Sequence, residues 1–184
     1  HTLMEQCKDT LYLYIWESPD YSVVLGRSKQ IDNDVNYSEC IADNIPIFRR
    51  ISGGGTVLQG PGCLNFSLIG PIHSTSWAAT ITSTSEYILS THHLMFESHT
   101  SNIQRHGLSD LCIGNQKFCG HAQRRTHHSF LYHGSILYDF NLDLIEKYLL
   151  NPPIQPEYRN QRDHGTFLTQ IPLRKKDIMD MLCY

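Results

Sequence analysis

Short apolar runs punctuated by turn residues make up most of this chain, and one long helical stripe interrupts them. Residues 11–16 and 21–25 read as strands, with turn chemistry between them from Ser18-Pro19-Asp20. Residues 35–43 predict a short helix and 45–50 a third strand. Regularity breaks at Gly53-Gly54-Gly55, strand character returns over 56–58, Gln59-Gly60-Pro61-Gly62 reads as a turn, and 64–69 as an apolar strand. The long helix is expected over 74–97, with Trp77, Ile81, Ile88 and Met95 on one stripe and Ser74 or Ser76 placed to cap it. Its many Ser and Thr residues are poor helix formers, so packing has to support it.

Beyond that helix, 111–113 and 116–124 flank Gly114-Asn115, a two-residue hairpin signal. Residues 129–138 predict a strand, and 142–150 a helix stopped by Asn151-Pro152-Pro153. The tail combines a proline-rich loop with a short helix over 175–182, and the first nine residues read as a remnant of a helix. Strands outnumber helices and are joined by tight turns. The pattern therefore predicts an α/β (α+β) domain with a central mixed, largely antiparallel sheet and flanking helices. No repeat, low-complexity tract or linker divides the 184 residues.

Composition narrows the functional classes. A formal net charge of −3 argues against a general electrostatic attraction to nucleic acid. No run approaches the roughly 18 apolar residues of a membrane span, and the N-terminus has no charged-then-apolar leader pattern. The six cysteines form no CxxC pair, so reduced thiols in a cytoplasmic protein are expected. Eleven histidines invite a metal, but none falls in HExxH or Cys/His ligand spacing, and no metal ligands are assigned.

Two segments carry candidate chemistry. In Arg49-Arg50-Ile51-Ser52-Gly53-Gly54-Gly55, three consecutive glycines are costly between strands unless a backbone must come very close to something. Their N–H groups can converge on an anion, and the arginines can supply fixed positive charge. A flexible turn between solvated arginines fits the same residues. No Gly-Lys-Ser/Thr follows, so this is not a P-loop. In Gly114–Gln123, strict alternation puts Lys117, Cys119, His121 and Gln123 on one face and Phe118, Gly120 and Ala122 on the other. An inward lysine there needs an anionic partner; an edge-strand lysine guarding against aggregation fits equally well. His133-Gly134-Ser135 places a glycine inside a strand, a sign of close backbone approach. The segment 155–169 reads as a polar loop folded back on the domain.

In this order, RRISGGGTV (49–57), GCLNFSL (62–68), NQKFCGHAQRR (115–125), YHGSILYDFNLDLIEKYL (132–149) and PEYRNQRDHGTFLT (156–169) resemble the catalytic domain of lipoate–protein ligases. These sit within the wider group of biotin and lipoate ligases and octanoyltransferases, and the likeness runs from about residue 11 to 169. The resemblance implies an enzyme that uses ATP and Mg²⁺ to convert lipoate to lipoyl-AMP. The lipoyl group then passes to a lysine of an acceptor domain, a dehydrogenase E2 or a glycine-cleavage H protein. It implies Lys117 as the catalytic residue against the carboxylate and the adenylate. Arg49, Arg50, Ser52, Gly53, Gly54, Gly55, Asn65, Gly120, His133 and Gly134 are implied around the acid and its adenylate. It further implies a single catalytic domain over 1–184, with no C-terminal accessory domain visible and a separate accessory chain as the alternative source of that part. No nucleic acid or membrane partner is implied. The chain departs from the family's usual residues at Cys112, Cys119 and His121.

Three other outcomes are open at this stage. An octanoyl- or lipoyltransferase would work through a cysteine thioester, with Cys119 or Cys112 as nucleophile beside Lys117; small buried hydrophobes is the plainer reading of both. A biotin ligase would show a GRGRxGR-like loop, which Gly26-Arg27-Ser28 imitates poorly. A non-catalytic module would hold lipoate or a lipoylated domain without turning it over.

Overall fold

The computed structural model describes residues 2–7, 9–73 and 75–183. After α1 (Thr2–Gln6) come β1 (Tyr12–Glu17) and β2 (Ser22–Leu25), joined by a turn in which Ser18 Oγ donates to the Asp20 carbonyl at 2.7 Å. The helix expected over 35–43 is α3 (Tyr37–Ala42), and a further short helix that the sequence did not signal, α2 (Ile31–Asp34), precedes it. Val35 separates them because it is extended (φ −129°) and bridges to Leu149. β3 (Ile47–Arg49), β4 (Val57–Gln59) and β5 (Cys63–Pro71) bracket the triple glycine and the Gly60–Gly62 turn.

α4 (Ile81–Glu97) is the long helix, with a corrected start. A 3₁₀ turn (Ser76–Ala78) precedes it, and Thr80 caps it through a reciprocal capping box with Ser83. Ser76 makes no cap, and Ser74 lies outside the described residues. Ile81 is 58% exposed, whereas Thr84, Ser85, Ile88, Leu89, His92 and Phe96 are buried. The polar members of that face carry their own partners: Thr84 Oγ1 donates to the Thr80 carbonyl at 2.8 Å, and Ser85 Oγ accepts from Gln123 at 2.7 Å. Of the expected stripe, Ile88 is buried and Trp77 and Met95 pack against the core, so Ile81 is the member misplaced. Hydropathy could not mark the polar part of the face, because satisfied hydroxyls are as buriable here as methyls.

β6 (Ile103–His106), β7 (Asp110–Ile113), β8 (Gln116–Arg125) and β9 (Ser129–Leu137) complete the strands. α5 (Asp143–Tyr148), a 3₁₀ turn (Glu157–Arg159), α6 (His164–Phe167) and α7 (Lys175–Leu182) follow. Among the described residues, six strands form an antiparallel sheet in the order β1-β5-β9-β8-β7-β6, and a smaller sheet has the order β3-β2-β4. The parallel pairing that makes the architecture mixed is β2 with β3.

The large sheet is covered on both faces, and residue alternation sorts its side chains. Leu64, Phe66, Phe130, Tyr132 and Ile136 join α4 and α7 in one core. Cys63 and Leu137 turn the other way, toward Val23, Leu25 and Leu58 of the small sheet. Each fully buried large side chain of this kind contributes roughly 1.5–3 kcal/mol. The two cores clamp the central strands β5, β9 and β8, which carry the candidate site.

Candidate active site

β3 delivers two arginines into the loop, and both guanidinium groups are already engaged. Arg49 Nη1 donates to the carbonyls of Gly26, Arg27 and Lys29 at 3.0, 3.1 and 2.6 Å. Arg50 Nη2 donates to the carbonyls of Gly53 and Gly55 at 2.7 Å each, Nη1 to Val24 at 3.1 Å, and Nε to Ser52 Oγ at 3.1 Å. Burial lowers the Arg50 guanidinium to about 10, so it remains charged at neutral pH. Arg50 is thus the post around which the glycine loop is wound.

The three glycines differ in what demands them. Gly54 has φ +89°, and a Cβ there would meet Arg50 at 2.9 Å; its carbonyl also sits where Gly26 would carry a Cβ. A Cβ at Gly53 or Gly55 would meet nothing within 4 Å. The fold requires Gly54, while Gly53 and Gly55 face open space.

Below the loop, buried Ser52 places Oγ 2.6 Å from His133 Nε2. Burial, then the charge of Arg50, pushes His133 down to about 4, so its imidazole is neutral. One register step away, Ser135 donates to Asn65 Oδ1 at 2.8 Å and accepts from Gln59 Nε2 at 2.9 Å. Asn65 is buried and also donates to the Cys63 carbonyl at 3.2 Å. This chain of polar groups ties the small sheet to the large one. Gly134 is needed for packing, since a Cβ there would strike Phe66 at 2.6 Å.

Lys117 corrects the alternation expected from sequence. The β7–β8 pairing jumps from Cys112↔Lys117 to Leu111↔Cys119, so Phe118 is an extra residue in a bulge. Phe118 packs edge-on against Phe96 of α4 and His121 lies against His92 of the same helix, while Lys117 turns away from them. Its Cε and Nζ lie 2.8 Å from where Gly120 would carry a Cβ. Lys117 therefore shares its face with Gly120 and Ala122, not with Cys119, His121 and Gln123. Ala122 Cβ in turn lies 3.6 Å from the Cβ position of Gly54. The bulge brings the lysine and the triple-glycine loop to one side of the sheet.

The anionic partner that an inward lysine requires is Asp110, with Oδ1 2.8 Å from Nζ. Tyr158 donates to Oδ2 at 2.5 Å and Ser109 Oγ to Oδ1 at 2.7 Å. Burial alone would raise the Asp110 carboxyl; the Lys117 ammonium and the two hydroxyls more than offset it and hold it below the ordinary carboxylate range. Sequence reasoning missed both Asp110 and Tyr158. The hairpin register places Asp110 opposite Gly120, which would have found the first had the bulge been anticipated.

Cys112 and Cys119 are buried, and desolvation pushes Cys112 up to about 11 and Cys119 well above its ordinary value. Neither is poised as a thiolate. His121 Nδ1 lies 2.8 Å from the Ser109 carbonyl and therefore donates to it, leaving Nε2 to accept from His92 Nδ1 at 3.2 Å. Among the described residues no three His, Cys, Asp or Glu side chains are placed to hold a metal ion.

An open cleft of about 580 Å³ adjoins the loop, lined in part by Arg27, Ser28, Gly53, Gln123, Arg124 and Arg125. The cleft borders the glycine loop through Gly53 and is not lined by Lys117. A held ammonium and a carbonyl-anchored glycine loop on one side of the sheet suit an acid being activated with an anionic leaving group.

Residues 1–170 match the family described as the lipoyl protein ligase A/B catalytic domain. A Mycoplasma pneumoniae protein named probable lipoate-protein ligase A is 31% identical over 74% of this chain and 39% of its own length. The chain thus spans about two fifths of that relative. A bipartite lipoate protein ligase from Thermoplasma acidophilum, solved with its E2 lipoyl domain, has a TM-score of 0.81 at 19% identity, over 98% of this chain and 72% of that one. A lipoate-protein ligase A bound with ATP has a TM-score of 0.76 at 20% identity, over 98% and 73%. At these identities the two structures establish the fold alone.

Proposed function

This chain belongs to the lipoyl protein ligase A/B catalytic-domain family, and from that premise we propose that it is the catalytic domain of a lipoate–protein ligase. In this reading ATP and lipoate are its substrates. A lipoate carboxylate oxygen attacks the α-phosphorus of ATP, pyrophosphate leaves, and lipoyl-AMP forms. The neutral amine of an acceptor lysine then attacks the acyl carbonyl, AMP leaves, and the amine gives up a proton. Lys117 offsets negative charge on the carboxylate and then on the acyl phosphate, and the N–H groups of Gly53–Gly55 hold the adenylate. Arg49 and Arg50 keep that loop in shape, Ser52 and His133 buttress it from below, and Asn65, Gly120 and Gly134 shape the floor. Magnesium would be held mainly by the nucleotide phosphates and water.

The observation that supports this most is the bulge at Phe118. It aims Lys117 to the side where Gly53 and Gly55 face open space without any packing reason to be glycine. The acceptor would be the lipoyl domain of a dehydrogenase E2 or a glycine-cleavage H protein, with a further domain or a separate accessory chain assisting adenylation. A cytoplasmic site of action fits the free cysteines, and among the described residues no helix is long and apolar enough to cross a membrane. Transfer through a cysteine thioester is disfavoured by the burial and high pKa of Cys112 and Cys119.

The test is incubation with lipoate, MgATP and a lipoyl domain, read by intact mass and pyrophosphate release. Acyl addition that depends on ATP supports ligation. Addition from an octanoyl carrier protein without ATP points to the transferase. Lipoate binding with no product points to the non-catalytic module.

A further inference from the structure

The segment from Glu157 to Thr169 lies across the β7–β8 hairpin and is fastened next to Lys117. Thr169 N donates to the Lys117 carbonyl at 2.9 Å, and Arg162 Nη2 to the Asn115 carbonyl at 2.9 Å. Within this strap the half-buried Tyr158 stacks on His106, with centroids 4.1 Å apart and rings 11° from parallel. Its ring also meets Phe167 at 5.4 Å. A phenylalanine would serve both contacts. The hydroxyl does something more specific: it donates to Asp110 Oδ2 at 2.5 Å, and its other neighbour is the weak thiol donor of Cys112 at 4.0 Å.

Asp110 is consequently held at both oxygens. Oδ2 takes the phenol, and Oδ1 takes Lys117 at 2.8 Å and Ser109 at 2.7 Å. A lysine carries its charge on a flexible four-carbon stem, so its position is decided by what its ammonium touches. A carboxylate free to turn would hold that ammonium loosely; one pinned on the far side holds it in one place.

We propose that Tyr158 is a positioning residue for acid activation: its phenol orients Asp110 so that Oδ1 keeps the Lys117 ammonium over Gly120, on the glycine-loop face. The proposal rests on the role of Lys117 given above, and it links the strap to the reacting groups. The groups that touch Asp110 are Lys117 from the sheet, Ser109 beside it and Tyr158 from the strap, with His106 behind Tyr158; His121, Cys112, Cys119 and Tyr132 feel its charge without touching it. Removing the phenol removes one of the contacts that hold the Asp110 carboxyl low, so the carboxyl takes up a proton at a higher pH.

The deciding variant is Tyr158→Phe, which keeps the ring on His106, in the full chain. Lys117 is labelled with isotopic acetic anhydride under native conditions and compared with exposed Lys176 of the same molecule by peptide mass spectrometry. We expect the Lys117/Lys176 ratio to rise at least about threefold, and an unchanged ratio overturns the proposal. This arm needs no substrate, so it decides the role of Tyr158 even if the wild-type protein makes no lipoyl-lysine and the functional reading falls. In the kinetic arm, kcat for pyrophosphate release drops roughly tenfold, the KM for lipoate stays within about twofold, and the acid limb of the pH profile moves upward. A normal kcat with an unmoved acid limb overturns the proposal, because a purely structural tyrosine would leave that limb in place.

Discussion

Lys117 Nζ and Asp110 Oδ1 meet at 2.8 Å on the sheet face where Gly53 and Gly55 look into open space. An ammonium held beside a carboxylate is ready for a second one: an arriving acid exchanges with, or joins, a partner that has already met the cost of desolvation. The same pair explains how a half-buried lysine is tolerated at the edge of the core.

Lys117→Ala is expected to leave the fold intact and to cut acyl activation severely. Preorganised electrostatic groups of this kind typically contribute about 2.7–4 kcal/mol, which corresponds to a loss of 10²–10³-fold in kcat. Steady-state pyrophosphate release, with circular dichroism as the fold control, checks this. Near-normal turnover in a folded variant would remove Lys117 from the mechanism.

The glycine loop separates stability from function. Gly54→Ala forces a side chain into φ +89° and against Arg50 at 2.9 Å, so it should lower thermal stability by more than about 1 kcal/mol. Gly53→Ala and Gly55→Ala meet no atom within 4 Å, so their melting should match the wild type while lipoate-dependent turnover falls at least about tenfold. Melting curves and assays on the three variants read the difference. Full activity in Gly53→Ala and Gly55→Ala would mean that nothing docks closely on the loop.

Much of this was legible in the residues. The turn signals at Ser18-Pro19-Asp20 and Gly114-Asn115 marked real hairpin and strand boundaries, and the motif order marked the family and the sheet architecture. What could not be read has local physical causes. α4 hides its inward face behind Thr84 and Ser85, whose hydroxyls are satisfied by backbone and Gln123 partners that lie elsewhere in the sequence. The bulge at Phe118 reverses the facing of Lys117, and period-two reasoning cannot anticipate an inserted residue. Arg49 and Arg50 look like free anion ligands, yet seven hydrogen bonds to backbone carbonyls and Ser52 occupy them.

The cysteines give a direct check on the transferase alternative. Cys112 and Cys119 are buried with thiols pushed upward, whereas Cys183 is exposed. Under native conditions Cys183 should react with maleimide first, and Cys112 and Cys119 only on unfolding. Cys119→Ala should retain acyl transfer within about threefold, since it removes a small buried group and no nucleophile. Abolished transfer in a folded Cys119→Ala protein would revive the thioester route.

The buried histidine pair makes the fold acid-sensitive. Burial, then the neighbouring His121, lowers His92 to about 3, and burial lowers His121 to about 4, against an ordinary value of 6.5. Above pH 6.5 both residues are neutral whether folded or unfolded, and they add no pH dependence. As pH falls below 6.5 the unfolded chain takes up protons that the folded chain refuses, so stability declines until the folded-state values near 4 and 3 are reached. Lys117 and Asp110 act on His121 through their charges, and a carboxyl held low loses its stabilising effect further down the same acid range. Thermal midpoints measured from pH 7.5 to 4.5 should therefore fall, by an amount on the order of a few kcal/mol in stability. His92→Gln, which keeps a polar partner for His121, should flatten the slope by about a third, because one of the three protonations suppressed to about 3–4, at His92, His121 and His133, is gone. A slope identical to the wild type would mean that the pair is hydrated and titrates in the folded state.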